Sequence, residues 1–149
     1  MIELVLPGKP RGKGTPWPIV RNGKAIPIKQ PAAREYERNL YAVATQYMLK
    51  RGLKPLEGAL VVRIHAWMVI PKSWPKKKQA AARACEIYPT VKPDANNISK
   101  SLDGLNGVCW VDDAQIVYET TIKRYSDFPR LVVRIREVEP QEFDEDLPF

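Results

Sequence analysis

In 149 residues there are two cysteines, Cys85 and Cys109, and one histidine, His65. That is too few for a disulfide framework or a cysteine–histidine zinc site, and the expected state of both sulfurs is the reduced thiol of a cytoplasmic protein. No apolar run reaches the ~18 residues that a membrane-spanning helix needs. The opening MIELVLPGKP lacks the apolar stretch of a secretory signal. Carboxylates are also scarce. Lys and Arg number 24 against 17 Asp and Glu, and six of those acids lie in residues 137–149, which hold no base. Residues 1–136 therefore carry 24 basic against 11 acidic side chains, a net +13. A body of that sign suits a polyanion, nucleic acid first. A membrane surface fits less well, because no lysine-rich amphipathic helix with an apolar face is present.

The length is that of one domain, and 44% hydrophobic residues suffice for a core. Residues 2–6 (IELVL) read as a strand stopped by Pro7-Gly8. The stretch that follows is rich in proline and glycine and carries Lys9, Arg11 and Lys13, which makes it a basic loop. Asn22-Gly23 marks a hairpin between Pro18–Val20 and Lys24–Ile28. From Ala32 to Arg51 there is no Pro or Gly, and Tyr36, Leu40, Val43 and Tyr47 recur at helical spacing along an apolar face, with Gly52 as the stop.

Residues 59–70 alternate as a long strand. Leu60, Val62, Ile64, Ala66 and Met68 form its core face, and Val61, Arg63, His65 and Trp67 the other. His65, with no second ligand nearby, reads as structural. Lys76-Lys77-Lys78 is a loop leading into a short helix at QAAARAC. A second short helix fits 97–106, with Asn96 or Asn97 as its cap and Gly107 after its end. Residues 115–123 and 130–138 read as strands joined in a hairpin through 125–129. The expected class is α/β, with α+β the alternative: one domain built on a mixed sheet with packed helices.

Four of the 11 acids outside the tail fall within 94–113: Asp94, Asp103, Asp112 and Asp113. Asp94 stands at the mouth of a helix and Asp112-Asp113 directly before a strand. Two explanations fit this spacing. The residues are ordinary caps and turns, or they hold a hard divalent cation that offsets their charge beside a phosphodiester, with Lys100 near enough to add charge stabilisation.

The segment KPDANNISKSLDGLNGVCWVDDAQIVYETTIK, 92–123, resembles the RusA family of Holliday-junction resolvases. The family pattern runs KPD-x-DN, a Lys three residues after that Asn, D-x-LNG and then DD-x-Q-[IV]. The opening LPGKPRGKGTPW and the helix with Arg34-Glu35-Tyr36 are similar to the family's as well, so the likeness spans about 2–136. It implies a homodimeric endonuclease, Mg²⁺-dependent with Mn²⁺ as an alternative, that nicks four-way junction DNA in symmetric pairs. It implies metal ligands at Asp94, Asn96 and Asp113, with Asp112 as a further acid, and a catalytic lysine at Lys100. Small enzymes of this type are often encoded by phages or prophages.

Two departures stand out. Asn96 occupies the place of an aspartate, so it offers an oxygen without a charge. Lys100 and Asp103 lie one residue closer together than the pattern has them. The alternative function is therefore a weakened or inactive branched-DNA-binding protein. The basic residues expected on DNA phosphates are Lys9, Arg11, Lys13, Arg21, Lys76, Lys77 and Lys78. Trp17 and Trp74 in the same loops are either base wedges or pins to the core, and Trp67 and Trp110 read as packing residues.

Residues 137–149 are expected to be an acidic, flexible tail after the nuclease domain at 1–136. Its end, Asp144, Glu145, Asp146, Leu147, Pro148 and Phe149, resembles the C-terminal tip of bacterial single-stranded-DNA-binding proteins. That likeness implies partner proteins that read such tips. Competing expectations are a tail that shields the protein's own DNA groove and one that is inert.

Overall fold

The computed structural model describes residues 1–14 and 16–143. Six strands and three helices follow in chain order: β1 (Ile2–Pro7), β2 (Trp17–Arg21), β3 (Lys24–Ile28), α1 (Pro31–Lys50), β4 (Leu60–Val69), α2 (Lys76–Arg83), α3 (Ala95–Lys100), β5 (Ile116–Ser126) and β6 (Arg130–Glu137). Short 3-10 turns at Ser101–Leu105 and Asp113–Gln115 connect α3 to β5.

Four strands make one mixed sheet in the order β1-β6-β4-β5. β6 is antiparallel to both neighbours, and β4 is parallel to β5. The parallel pair exists because the chain between them crosses over through α2 and α3, the connection that a parallel neighbour requires. β4 takes the centre, as its near-continuous Val/Ile/Leu content suits a strand flanked on both edges. The expected hairpin of the last two strands is corrected here. β5 and β6 follow each other in sequence, but β4 lies between them. β2 and β3 form a separate hairpin turned by Asn22 and Gly23, both at positive φ as such a two-residue turn requires.

One face of the sheet is covered. Leu60, Val62, Ile64 and Ala66 of β4 pack there with Leu4 of β1 and Leu131, Val133 and Ile135 of β6, all essentially excluded from water. The buried stripe of α1 is Ala33, Tyr36, Leu40, Ala44 and Met48. Val43 and Tyr47 only flank the core, so the stripe turns about one position from the expected one. At ~25 cal/mol per Å² of apolar area, each large side chain here contributes about 1.5–3 kcal/mol. Cys109 is part of this core, and burial pushes its thiol up to about 11, far from reactivity at neutral pH.

On the opposite face Arg63 and His65 line open cavities to which, among the described residues, no helix contributes a wall. Trp67 lies on the same face, half-buried beneath the Arg130 guanidinium 4.7 Å from its ring, instead of packing in the core.

Candidate active site and nucleic-acid interface

α3 has six residues, too few to stand alone, and Ile98 anchors it by burying completely. Asp94, with extended backbone, occupies its N-cap position, while Asn96 and Asn97, expected to cap it, lie inside the helix two and three residues past the cap. Asp94 forms no side-chain cap bond, so its carboxylate is not tied to the helix it precedes. With Ile98 turned inward, Asn96 and Lys100 share the solvent face, four residues apart. The chain then tightens. The buried Ser101 hydroxyl donates to the Ile98 carbonyl at 2.6 Å, and the 3-10 turn buries Leu102 and Leu105. This tighter winding suits the shortened Lys100–Asp103 spacing, because residues three apart eclipse in a 3-10 turn.

The facing wall comes from the turn before β5. Trp110 is buried, and its indole N–H donates to Asp113 Oδ1 at 2.7 Å. Trp110 is thus more than a packing residue, for it orients a candidate metal ligand. Asp112 accepts from the Ala114 amide and caps the turn, the local role that its spacing had left open. Gln115 locks the segment in place. Its amide oxygen accepts from the Val111 and Asp112 amides, both at 2.8 Å, and its nitrogen donates to the Leu56 and Gly58 carbonyls at 2.8 and 2.9 Å. The chain entering β4 is thereby tied to the turn that presents Asp113.

Between the walls lies a cleft of about 430 Å³ lined by Lys100, Asp103, Asp113, Trp110, Ser99 and Glu119, among others. Lys100 and Asp113 therefore open onto one space, while Asp94 and Asn96 stand at the far end of α3, outside its lining. Glu119 went unrecognised in the sequence, where it looked like any residue of a strand. It lies on the helix side of β5, and its carboxylate accepts the Ser99 hydroxyl. Its only sequence signal was its alternation phase. It shares a face with the core residue Val62, its partner in register.

Among the described residues, no three His, Cys, Asp or Glu side chains gather to hold one ion. The donors left on the predicted positions are the Asp94 and Asp113 carboxylates and the Asn96 amide. All are hard oxygens of the kind Mg²⁺ takes, and one or two carboxylates are its usual protein share, the rest being water and substrate phosphate.

The basic loop before β2 is strapped to α3. Gly12 lies so close that an added Cβ would sit 2.7 Å from that of Asn97. The Lys13 amide donates to the Asn97 carbonyl at 2.9 Å, and the Lys13 ammonium pairs with Asp103 at 2.7 Å. That carboxylate holds the Lys13 pKa above its ordinary value. Arg11, Lys13 and Lys92 line a second cleft of about 400 Å³ beside the helix. Burial pushes the Tyr36 phenol up to about 12, against the opposing pull of Arg11.

Lys9 is exposed on the same loop, and Arg21 is exposed at the end of the β2–β3 hairpin, where Trp17 is also open to solvent. Lys76, Lys77 and Lys78 are not a loop but the first turn of α2. Trp74 is pinned there, edge-on to Tyr125 and under the Lys78 ammonium at 3.9 Å. Tyr125 is nine residues along β5 from Ile116, so at ~3.3 Å per residue the lysine triplet stands about 30 Å from the Asp113 end of that strand. Asp144, Glu145, Asp146, Leu147, Pro148 and Phe149 lie outside the described residues.

A model of the family described as endodeoxyribonuclease RusA matches residues 7–136, from the end of β1 to the end of β6. This chain belongs to the RusA family. It is also 35% identical over 141 residues to the uncharacterized protein YqaN of Bacillus subtilis (strain 168), a match covering 92% of this chain and 96% of that one. RusA membership places the chain among endonucleases that act on branched DNA junctions. The mixed sheet flanked by three helices is the RusA domain of this protein, and the matched span contains both walls of the cleft. No helix among the described residues is long and apolar enough to cross a membrane.

Proposed function

We propose that this RusA-family protein is a Mg²⁺-dependent Holliday-junction resolvase that nicks as a homodimer, with activity lowered by Asn96. The observation that carries the reading is the meeting of Lys100 and Asp113 in one cleft within the family-matched span. Asp113 would hold the metal at the cleft, and Asp94 and the Asn96 amide, outside its lining, would reach the ion from the N-terminal end of α3. When bound, the ion polarises the phosphodiester and lowers the pKa of water. The protein's own part is positional and electrostatic. Trp110 fixes one oxygen of Asp113 and leaves the other without that bond. Lys100 brings a positive charge to the phosphate whose negative charge grows in the transition state. Lys9, Arg11, Lys13 and Arg21 hold the strand across the cleft, and Lys76–Lys78 meet a more distant arm. Paired nicks require two sites, which a two-fold dimer supplies in the symmetry of the junction itself.

Asn96, standing where the family pattern has an aspartate, favours a second reading, a branched-DNA-binding protein with little or no cutting. In either case the segment 144–149 is proposed to recruit proteins that read single-strand-binding-protein tips. Extending the chain by one residue beyond Phe149 should abolish that capture and leave junction binding unchanged. The deciding experiment is a nicking assay on a synthetic four-way junction beside linear duplex, with Mg²⁺ or Mn²⁺. Paired cuts in the junction support the resolvase. Tight junction binding without cuts supports the second reading, and equal treatment of both DNAs refutes the two together.

A further inference from the structure

The uncovered face of the sheet has a charge pattern that the nuclease reading does not use. In register, Arg136 lies opposite Val61, Arg134 opposite Arg63, and Arg130 opposite Trp67. Across β4, Arg124 lies opposite Trp67. Residues opposite one another share a face. Five arginines therefore stand together, and the strands supply a single carboxylate among them, Glu3, which pairs with Arg134 at 2.7 Å. Like charges this close are unfavourable without a counter-charge. Among the described residues Arg63 forms no direct ion pair, its charge acting on Glu142 only at longer range, and the buried Arg124 Nε has no hydrogen-bond partner.

The chain's own C-terminal part has already turned onto this face. Past the end of β6, Glu142 grips the Arg136 guanidinium through both carboxylate oxygens, and the Phe143 ring stacks on Tyr118 of β5 at 4.9 Å. Tyr118 is also a wall of a cavity of about 470 Å³ that runs past Arg63 and His65. The next three residues in the sequence are Asp144, Glu145 and Asp146. Six residues beyond Phe143 reach about 20 Å when extended. Three strand spacings amount to about 14 Å, so the segment can cross the whole sheet from where Phe143 stands.

We infer that the arginine face of the sheet is the docking surface for this chain's own segment Asp144–Phe149, held in cis. The charges left for its acids to answer are those of Arg63 and Arg124, since Glu3 already holds Arg134. The segment's apolar end meets Val5, which is exposed on β1 in the row that runs through His65 to Ile122. Any partner that captures the tip must first displace it from this face. The inference rests on the Glu142 and Phe143 contacts, and it stands or falls apart from the nuclease reading.

The test uses the full chain and its charge-neutral variant D144N/E145Q/D146N, with folding checked by thermal melting. Amide NMR spectra of the two should differ at Arg63, His65 and Thr120 and agree along α1, independent of protein concentration. A labelled peptide of residues 140–149 should bind the neutral variant at least tenfold more tightly than the parent, and Arg63→Met in the variant should remove that gain. Unchanged spectra, equal peptide affinity, or changes centred on Lys100 and Asp113 would overturn the inference. A concentration-dependent effect would assign the face to a second copy and also refute docking in cis. If a four-way junction shifts the same amides equally in both chains, the face belongs to nucleic acid and the inference fails.

Discussion

The indole of Trp110, buried beneath the cleft, holds Asp113 Oδ1 at 2.7 Å. A core residue thereby sets the direction of a carboxylate at the surface. Trp110→Phe removes the donor and, with its smaller ring, also leaves a cavity in the core. A lost hydrogen bond of this kind costs about 1 kcal/mol of stability. Groups that orient metal-binding side chains typically matter by about 10–100-fold. We expect metal-dependent nicking to fall by that factor while junction affinity holds. Unchanged nicking would mean that the indole does not position Asp113 for the reaction.

Gly12 offers a second test, of the strap between the basic loop and α3. An added Cβ would meet Asn97 Cβ at 2.7 Å and the Asn97 backbone at 3.3 Å. Gly12→Ala must push the loop away from the helix, at a cost of about 1–3 kcal/mol typical of overpacking. Junction affinity should drop with it, because Arg11 and Lys13 move together. Chemical denaturation and a binding titration measure the two effects. A variant as stable and as tight-binding as the parent would show that the strap does not hold the loop.

Much of this architecture was legible in the sequence, because periodicity reports burial directly. Leu60 to Met68 alternate as a strand must, and the α1 stripe is displaced by only about one position, since Ala33, Ala44 and Met48 are less conspicuous than Tyr47. Strand order was not legible. Nothing local to Tyr125–Pro129 reveals that β4 separates β5 from β6, because that depends on where β4 finds room. Of the cleft's residues, Lys100 and Asp113 could be picked out by residue type and spacing, as could Asp94 outside its lining. Glu119 could not, and Gln115 stood in the DD-x-Q pattern without a role, since their partners, Ser99 on one hand and Leu56 and Gly58 on the other, come from distant parts of the chain. Phe143 looked like part of a free tail for the same reason.

His65 is the only histidine, so its ring resonance is unambiguous. Burial, then Arg134, Arg124 and Arg63, hold its pKa below the ordinary 6.5. In the D144N/E145Q/D146N chain, where only the arginines act, an NMR titration should give a midpoint below 6.5. The unfolded chain then binds the proton more readily than the folded one. This group's contribution is complete above pH 6.5 and erodes as the pH falls toward the folded midpoint. A midpoint at or above 6.5 would contradict the crowding of cations on this face.

The Glu142 carboxyl is also held below its ordinary value, but by attraction to a cation rather than by burial and repulsion between cations. The Arg136 guanidinium and the Glu139 amide hold it at about 2. A depressed carboxylate favours the folded contact above the unfolded value near 4.5, and the contact is lost as the pH falls through the folded value. The Tyr118–Phe143 stack, read by ring-current shifts, should therefore survive acidification to below pH 4. Glu142→Gln should loosen it at neutral pH. Loss of the stack near pH 4.5 in the parent chain would contradict the pairing.

The separation of Lys76–Lys78 from the cleft predicts a graded loss. Replacing all three by glutamine should weaken junction binding and lower the slope of log affinity against log salt by as much as about 2–3, one for each phosphate contact removed. Nicking at saturating protein should be unaffected. An unchanged slope would remove the triplet from the interface.

The most direct test of the central claim is the single-turnover nicking rate on a synthetic four-way junction across a Mg²⁺ titration, for the parent chain, Asn96→Asp and Asp113→Asn. If oxygens at Asp94, Asn96 and Asp113 hold the metal, Asn96→Asp lowers the Mg²⁺ requirement and raises the rate, while Asp113→Asn abolishes cutting and binds the junction at least as tightly. An Asn96→Asp chain that cuts no faster at any Mg²⁺ concentration, beside an Asp113→Asn chain that cuts like the parent, would contradict the account.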